Sequence, residues 1–387
     1  MSDATALVTE PSAWETERKT SYLELFFDLV FVFVFTQVTA LILEDTSLRG
    51  FARATLVLAM VWWAWSAYTW MTNAIDVENT VTRLIILAAM AAAFFMALAV
   101  PHAFGDEAVW FASAYFVVRI LNVTLYLWGV RGDPIVLRSF ARLAPWFLVA
   151  ALVALAGGFV DADYRAWVWL ASLVIDVVGT FTIARVEWHV SPSHFAERFA
   201  LIVIIALGES IVSIGVATAD VDRDATYVAS VLVALAGVAA LWWAYFDFTA
   251  TAAERSLRRA KGHARGQLAR DVFTFFHFPM VLGIMLYAFA AKKVLEHPLD
   301  PLSKAGRWAL GLGIAIFLSG FVLARLRAIH RVAWERIAAA AVALAAALAL
   351  RDADAIVTLG VVVVILALSV VVETARLREI RAEIRAA

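Results

Sequence analysis

Glu24-Leu25-Phe26-Phe27-Asp28-Leu29-Val30-Phe31-Val32 places two carboxylates inside an apolar run that extends over residues 21–43. A run of that length crosses the roughly 30 Å hydrocarbon core of a bilayer as one helix. An acid near the centre of that medium costs about 2.5–3.5 kcal/mol, so it faces the bundle interior or water and serves a task. Glu24 and Asp28 are spaced i, i+4, which puts both on one stripe with Phe31 and Phe35. Gln37 lies about 180° around the helix from Asp28 and meets a different neighbour.

The rest of the chain extends this pattern. Of its 387 residues 63% are hydrophobic and 17% charged, with a mean hydropathy of +0.83, whereas soluble domains are roughly 45–50% apolar. The fold class read from this is an all-α, polytopic transmembrane helix bundle. Twelve stretches are long enough to cross: 21–43, 51–72, 81–101, 109–130, 140–160, 164–185, 196–218, 227–250, 271–292, 307–327, 333–350 and 353–374. A net charge of −1 argues against a nucleic-acid partner. The absence of cysteine removes disulfides, thiolate metal sites and thiol nucleophiles. No cofactor and no metal site is expected. The first twenty residues are polar and end in Glu17-Arg18-Lys19-Thr20. The apolar run after them is too long for a signal-peptide core, so the first helix is expected to stay in the mature protein.

Basic residues are sorted by side. Arg18, Lys19, Arg83, Arg131, Arg138, Arg142, Arg185, Arg198, the loop 254–270, Arg325 to Arg336 and the tail from Arg376 fall on one side. The other side holds fewer, among them Arg49, Arg53, Arg165, Lys292, Lys293 and Arg307. The positive-inside rule then makes both termini cytoplasmic, in a bacterial inner membrane.

Three local matches recur in order in the two halves. Glu24 with Gln37 answers to Glu197 with Glu209, Trp62-Trp63-Ala64-Trp65 to Trp242-Trp243-Ala244-Tyr245, and Asp161-Ala162-Asp163 to Asp352-Ala353-Asp354. Chance recurrence of Trp and Ala runs in membrane helices is the plain alternative. Duplication implies a cytoplasmic segment 1–20, two six-helix repeats over 21–190 and 191–375, and a cytoplasmic tail 376–387, with the repeats in the same orientation.

Further ionisable side chains sit at depth: Arg119 in the fourth span, Asp176 in the sixth, Glu209 in the seventh, Asp247 in the eighth and His277 in the ninth. His194, Glu197 and Arg198 share one turn at the entry of the seventh helix, and Glu209 lies about 18 Å further along it. Gly208 is expected to allow close helix approach. For Glu24 and Glu197 the alternatives are helix-start carboxylates or gate residues. Arg119 can neutralise one of Asp176, Glu209 or Asp28, as a static pair or as a gate. His277 is a packing residue or a proton relay. Trp62, Trp63, Trp65, Trp70, Trp242 and Trp243 either anchor and pack or form a cage for an organic cation. The basic loop 254–270 suits anionic lipid headgroups.

Ser21-Tyr22-Leu23-Glu24-Leu25-Phe26-Phe27-Asp28-Leu29-Val30-Phe31-Val32, and His194-Phe195-Ala196-Glu197-Arg198-Phe199 running into Leu207-Gly208-Glu209-Ser210-Ile211, carry a family signature. They resemble the two signatures of the bacterial low-temperature-requirement A (LtrA) family, over nearly the whole chain. The resemblance implies an integral membrane protein whose family is named for growth in the cold and is not defined by a reaction or substrate. It marks Glu24, Asp28, His194, Glu197, Arg198, Gly208, Glu209 and Ser210 as the matching positions.

The leading expectation is a secondary transporter or ion- or proton-coupled permease for a small solute or ion. Glu24, Asp28, Arg119, Asp176, Glu209 and Ser210 are the transport and coupling residues, with His194, Glu197 and Arg198 as a cytoplasmic gate. Gln37, Asp247 and His277 are secondary candidates. This reading requires Asp28, Arg119, Asp176 and Glu209 to converge on one polar cavity. The alternative is a non-transporting membrane protein that supports the envelope in the cold through lipid or partner-protein contacts. An enzyme is not expected, since the chain has no His-Glu-x-x-His, Gly-x-Ser-x-Gly or Gly-x-Gly-x-x-Gly and its seven histidines are scattered.

Overall fold

Ser21 starts the bundle with a capping box: its hydroxyl accepts from the Glu24 backbone N–H, and the Glu24 side chain accepts from the Ser21 backbone N–H. Ser47, Asn79, Asp133, Asp224 and Ser303 cap other helices by accepting from first-turn backbone N–H groups, and Pro134 and Pro192 occupy first-turn positions. The computed structural model describes residues 19–182, 190–218 and 223–376. Residues 1–18, Arg185, His189 and the tail 377–387 lie outside the described residues.

The helices in the first half are α1 (Tyr22–Glu44), α2 (Leu48–Ala74), α3 (Thr80–Leu98), α4 (Ala108–Gly129), α5 (Pro134–Gly157) and α6 (Ala162–Thr182). The second half has α7 (Pro192–Ala217), α8 (Ala225–Phe246), α9 (Thr249–Arg259), α10 (Gly262–Leu268), a π-helical stretch (Ala269–Phe275), α11 (His277–Glu296), α12 (Lys304–Ile329), α13 (Trp334–Ala349) and α14 (Ala355–Arg376). No strand occurs among the described residues; Pro301 and Asp354 form one isolated bridge. The chain is a multi-pass helical membrane protein, with ten segments among the described residues long and apolar enough to cross a bilayer.

The other two of the twelve expected stretches are also helical. The second is α2, whose four tryptophans, Arg49 and Arg53 lower its hydropathy. It packs on α1, α4, α6, α7 and α11, so it is solvated by protein rather than lipid. It must cross nevertheless. Glu24 and Asp28 meet Arg198, and Thr36 meets Glu209 further along, so α1 and α7 run parallel. Parallel alignment needs an odd number of crossings between them, which α3 to α6 supply only together with α2. The eleventh stretch is α13, whose 16 residues extend about 24 Å at 1.5 Å per residue.

Packing is dense where glycines let helices touch. A Cβ on Gly283 would lie 2.5 Å from the Gly313 carbonyl oxygen, and this mutual contact locks α11 against α12. Gly208 differs from expectation: an added Cβ would meet nothing within 4 Å, so close approach is not its role.

Candidate functional site

The two signature segments, about 170 positions apart, pack against each other along the α1/α7 seam. Glu24 Oε1 accepts from His194 Nε2 and from Arg198 Nη1, each at 2.9 Å. Asp28 Oδ1 accepts from Arg198 Nη2 at 2.7 Å and from the Trp65 indole N–H at 2.9 Å. All four ionisable groups are buried. With an imidazolium the cluster is charge-balanced; with a neutral imidazole it holds one negative charge in excess. Glu197, one residue from Arg198, is exposed and accepts from the backbone N–H and hydroxyl of Thr20, both at 2.9 Å. It clasps the start of α1 and lies outside the buried cluster.

Further along the same seam the chemistry changes. Glu209 Oε2 accepts from the Thr36 hydroxyl at 2.5 Å, and Oε1 from the Ser213 hydroxyl at 2.9 Å. The residue is only 1% exposed, as are Glu24 and Asp28. No Arg, Lys or His lies within ion-pair distance of it among the described residues, and Lys292 acts only at longer range. Ser210, beside it in sequence, buries a hydroxyl with no partner among the described residues.

Arg119 and Asp176 form a separate buried pair between α4 and α6, Nη2 to Oδ1 at 2.6 Å, with the guanidinium over the Phe147 ring at 4.9 Å. Asp28, Arg119, Asp176 and Glu209 therefore do not converge on one cavity. They occupy three places, because each acid meets the nearest donor on the helix packed against its own face. Of the three partners open to Arg119, the structure selects Asp176.

Of the secondary candidates, His277 is structural in its contacts. His277 Nδ1 donates to the Val272 carbonyl and Nε2 accepts from the Tyr245 hydroxyl, both at 2.9 Å, which uses both ring nitrogens. Asp247 is half-buried at the end of α8. Gln37 is half-buried and makes no hydrogen bond among the described residues. The six tryptophans form no common cage: Trp242 and Trp243 are 46% and 51% exposed, outside the core. Trp62 and Trp70 instead donate to the carbonyl and hydroxyl of Thr274 in the π-helical stretch, at 2.8 and 2.9 Å.

Sequence reasoning missed three features. Arg336, counted only as a flanking cation, is buried and paired with Glu373 at 2.6 Å. The π-helical stretch, with Phe276 N–H bonded five residues back to Asp271, has no signal in the apolar pattern. The third is a cleft, partly open to solvent, between α2, α4, α5, α6, α10 and the π-helical stretch. Phe147, Asn122 and Thr180 on its wall adjoin the Arg119–Asp176 pair. Among the described residues no cluster of three or more acids or histidines has metal-site geometry.

A family model described as Bacterial low temperature requirement A protein (LtrA) matches residues 19–371. An uncharacterized protein of Rhizobium meliloti (strain 1021) is 32% identical over 294 residues, covering 73% of this chain and 71% of that protein. No solved structure matches significantly.

Proposed function

The chain belongs to the bacterial low-temperature-requirement A family, and we propose that it is a cation-coupled secondary permease for a small solute, with Glu209 as the coupling group. One observation carries this reading. Five carboxylates are buried among the described residues: Glu24, Asp28, Asp176, Glu209 and Glu373. Four are paired with an arginine, and Glu209 is the exception. An ionised carboxylate left without a counter-charge in a low-dielectric interior is strongly unfavourable, so Glu209 holds a proton or a small cation. The hydroxyls of Thr36 and Ser213 offer further oxygens to such an ion. A cation bound there is not locked in by a permanent partner and is free to exchange as helices shift.

The placement of Glu209 supports the reading. The α1/α7 seam joins two six-helix units, 21–190 and 191–375, which we read as a duplication. In the first, α1 packs on α2 and α3, then α3 on α4, α4 on α5 and α5 on α6, and α6 returns to α2. In the second, α7 packs on α8 and α11, then α11 on α12, α12 on α13 and α13 on α14, and α14 returns to α8. The end loops are tied alike, though from different spans: Arg165 of α6 binds carbonyls of Phe104 and Gly157, and Arg307 of α12 those of Leu302 and Arg351, so in each unit an arginine joins the segment after the third span to the end of the fifth. Duplicated bundles often place transport at such a seam. In this scheme Glu24, Asp28, His194 and Arg198 act as a latch at the cytoplasmic end, and the Arg119–Asp176 pair holds the wall of the solute cleft. The basic flanks support an inner-membrane location with both termini cytoplasmic, and the exposed cations Arg258, Arg259 and Lys261 of the stretch 254–270 suit anionic headgroups.

The test is chemical labelling joined to flux. Carbodiimide, which attacks protonated carboxyls in apolar surroundings, is expected to modify Glu209, with protection as pH or sodium concentration rises. Liposomes bearing the protein are expected to exchange protons or sodium, and Glu209→Gln to stop that exchange at normal protein yield. Absence of both labelling and exchange would sink the reading.

A second reading is favoured by the closed pairs Arg119–Asp176 and Arg336–Glu373, which need no moving part. On it the protein supports the envelope through lipid or partner contacts. Arg119→Met would then lower yield, Asp176→Leu would restore it, and no acid would control activity apart from abundance.

A further inference from the structure

We infer that the cleft between α2, α4, α5, α6 and the π-helical stretch is a binding site for a compact organic monoanion, an aromatic or short alkyl carboxylate seated body-first. It rests on the permease reading only in that a permease needs a solute site; binding itself does not require transport.

The deep end is built for an apolar body. Trp63, Phe140, Leu143 and Phe147 line it, and Arg119 and Asp176 behind them cancel each other, so no net charge faces a ligand there. Two hydrogen-bonding groups in this wall are under-used. The Ser66 hydroxyl is buried with no partner among the described residues, and the Asn122 amide donates only to the Met71 sulfur at 3.6 Å, a weak acceptor. A hydroxyl on the ring would satisfy both; benzoate, as the minimal probe, leaves them as they are.

The mouth is built for negative charge. Arg270 lines it, and its Nε and Nη2 engage Asp271 Oδ1 at 2.8 and 2.7 Å. The same Asp271 also accepts from Arg327 through Oδ2 at 2.7 Å. One carboxylate between two guanidiniums leaves one positive charge in excess at the entrance. The adjoining α9 and α10 and the turn between them add Arg259, Lys261 and Arg265, so the field around the entrance concentrates anions. A cation of the same size would meet that field with the wrong sign.

Equilibrium dialysis of radiolabelled benzoate against the full chain in nanodiscs, with empty nanodiscs as blank, tests this. Benzoate is expected to bind at one site, and benzylammonium and benzyl alcohol to compete poorly. Arg270→Gln should weaken binding about tenfold, the loss of one charge-assisted hydrogen bond. Ala67→Phe, which fills the cleft without touching a charge, should abolish binding and so covers the case in which the Arg270 variant does not fold. Equal competition by benzylammonium, or benzoate binding unaffected by Ala67→Phe, would overturn the inference. Benzoate binding without any proton or sodium exchange would overturn the permease reading and leave this one standing.

Discussion

The two ends of the α1/α7 seam use the same ingredient, a buried carboxylate, and treat it oppositely. At one end Glu24 and Asp28 share Arg198, with His194 and Trp65 as further donors. At the other, Glu209 has only hydroxyls. A buried acid held by a guanidinium fixes the register of two helices, and removing either partner strands the other in a dry interior. A buried acid held by hydroxyls has no such lock. The contrast separates a joint from the place where exchange is proposed, within one pair of helices.

The strongest way to break the comparison is Arg198→Leu, which takes the shared guanidinium from both Glu24 and Asp28. A loss of about 3–5 kcal/mol is expected, read as a fall in the thermal unfolding temperature and in folded yield in detergent. Adding Asp28→Asn and Glu24→Gln should recover part of it. Trp65→Phe removes one donor from Asp28 while leaving Arg198, and should cost about 1–3 kcal/mol in the same assay. Ser21→Ala unmakes the cap that positions Glu24, at a cost of about 1 kcal/mol. Glu209→Gln should change stability least, under about 1 kcal/mol, since an amide still accepts from Thr36 and donates elsewhere. A large destabilisation by Glu209→Gln would erase the distinction between the two ends.

Much of this seam is legible in the chain. The apolar runs give the bundle, the i, i+4 spacing puts Glu24 and Asp28 on one face, and the placement of His194 and Arg198 in one turn marks the facing helix. That Arg119 would choose Asp176 is not legible, because three acids at similar depth compete and only the neighbours of α4 decide. Arg336 reads as a flanking cation because hydropathy records its position near a helix start and not that Glu373 arrives beside it. The tryptophans mislead for a related reason: a ring's type does not say whether its edge finds a carbonyl, as Trp62 does, or stays half-exposed on the surface, as Trp242 does. Gly208 shows the same limit, since small size licenses contact only where a neighbour is present.

The π-helical stretch from Ala269 to Phe275 holds Thr274 under Trp62 and Trp70 and turns Arg270 to the cleft. A turn of this kind contains one residue more than the α turn it replaces. Elsewhere in a membrane span, deleting a residue swings every later side chain about 100° and ruins the packing of the remainder. Within 269–275 the same deletion would be absorbed, as the wide turn tightens and the faces of α11 keep their alignment. The segment is thus the one place in this long span where the length of the chain can change without disturbing what lies beyond it, and the local cost would fall on the grip of Trp62 and Trp70.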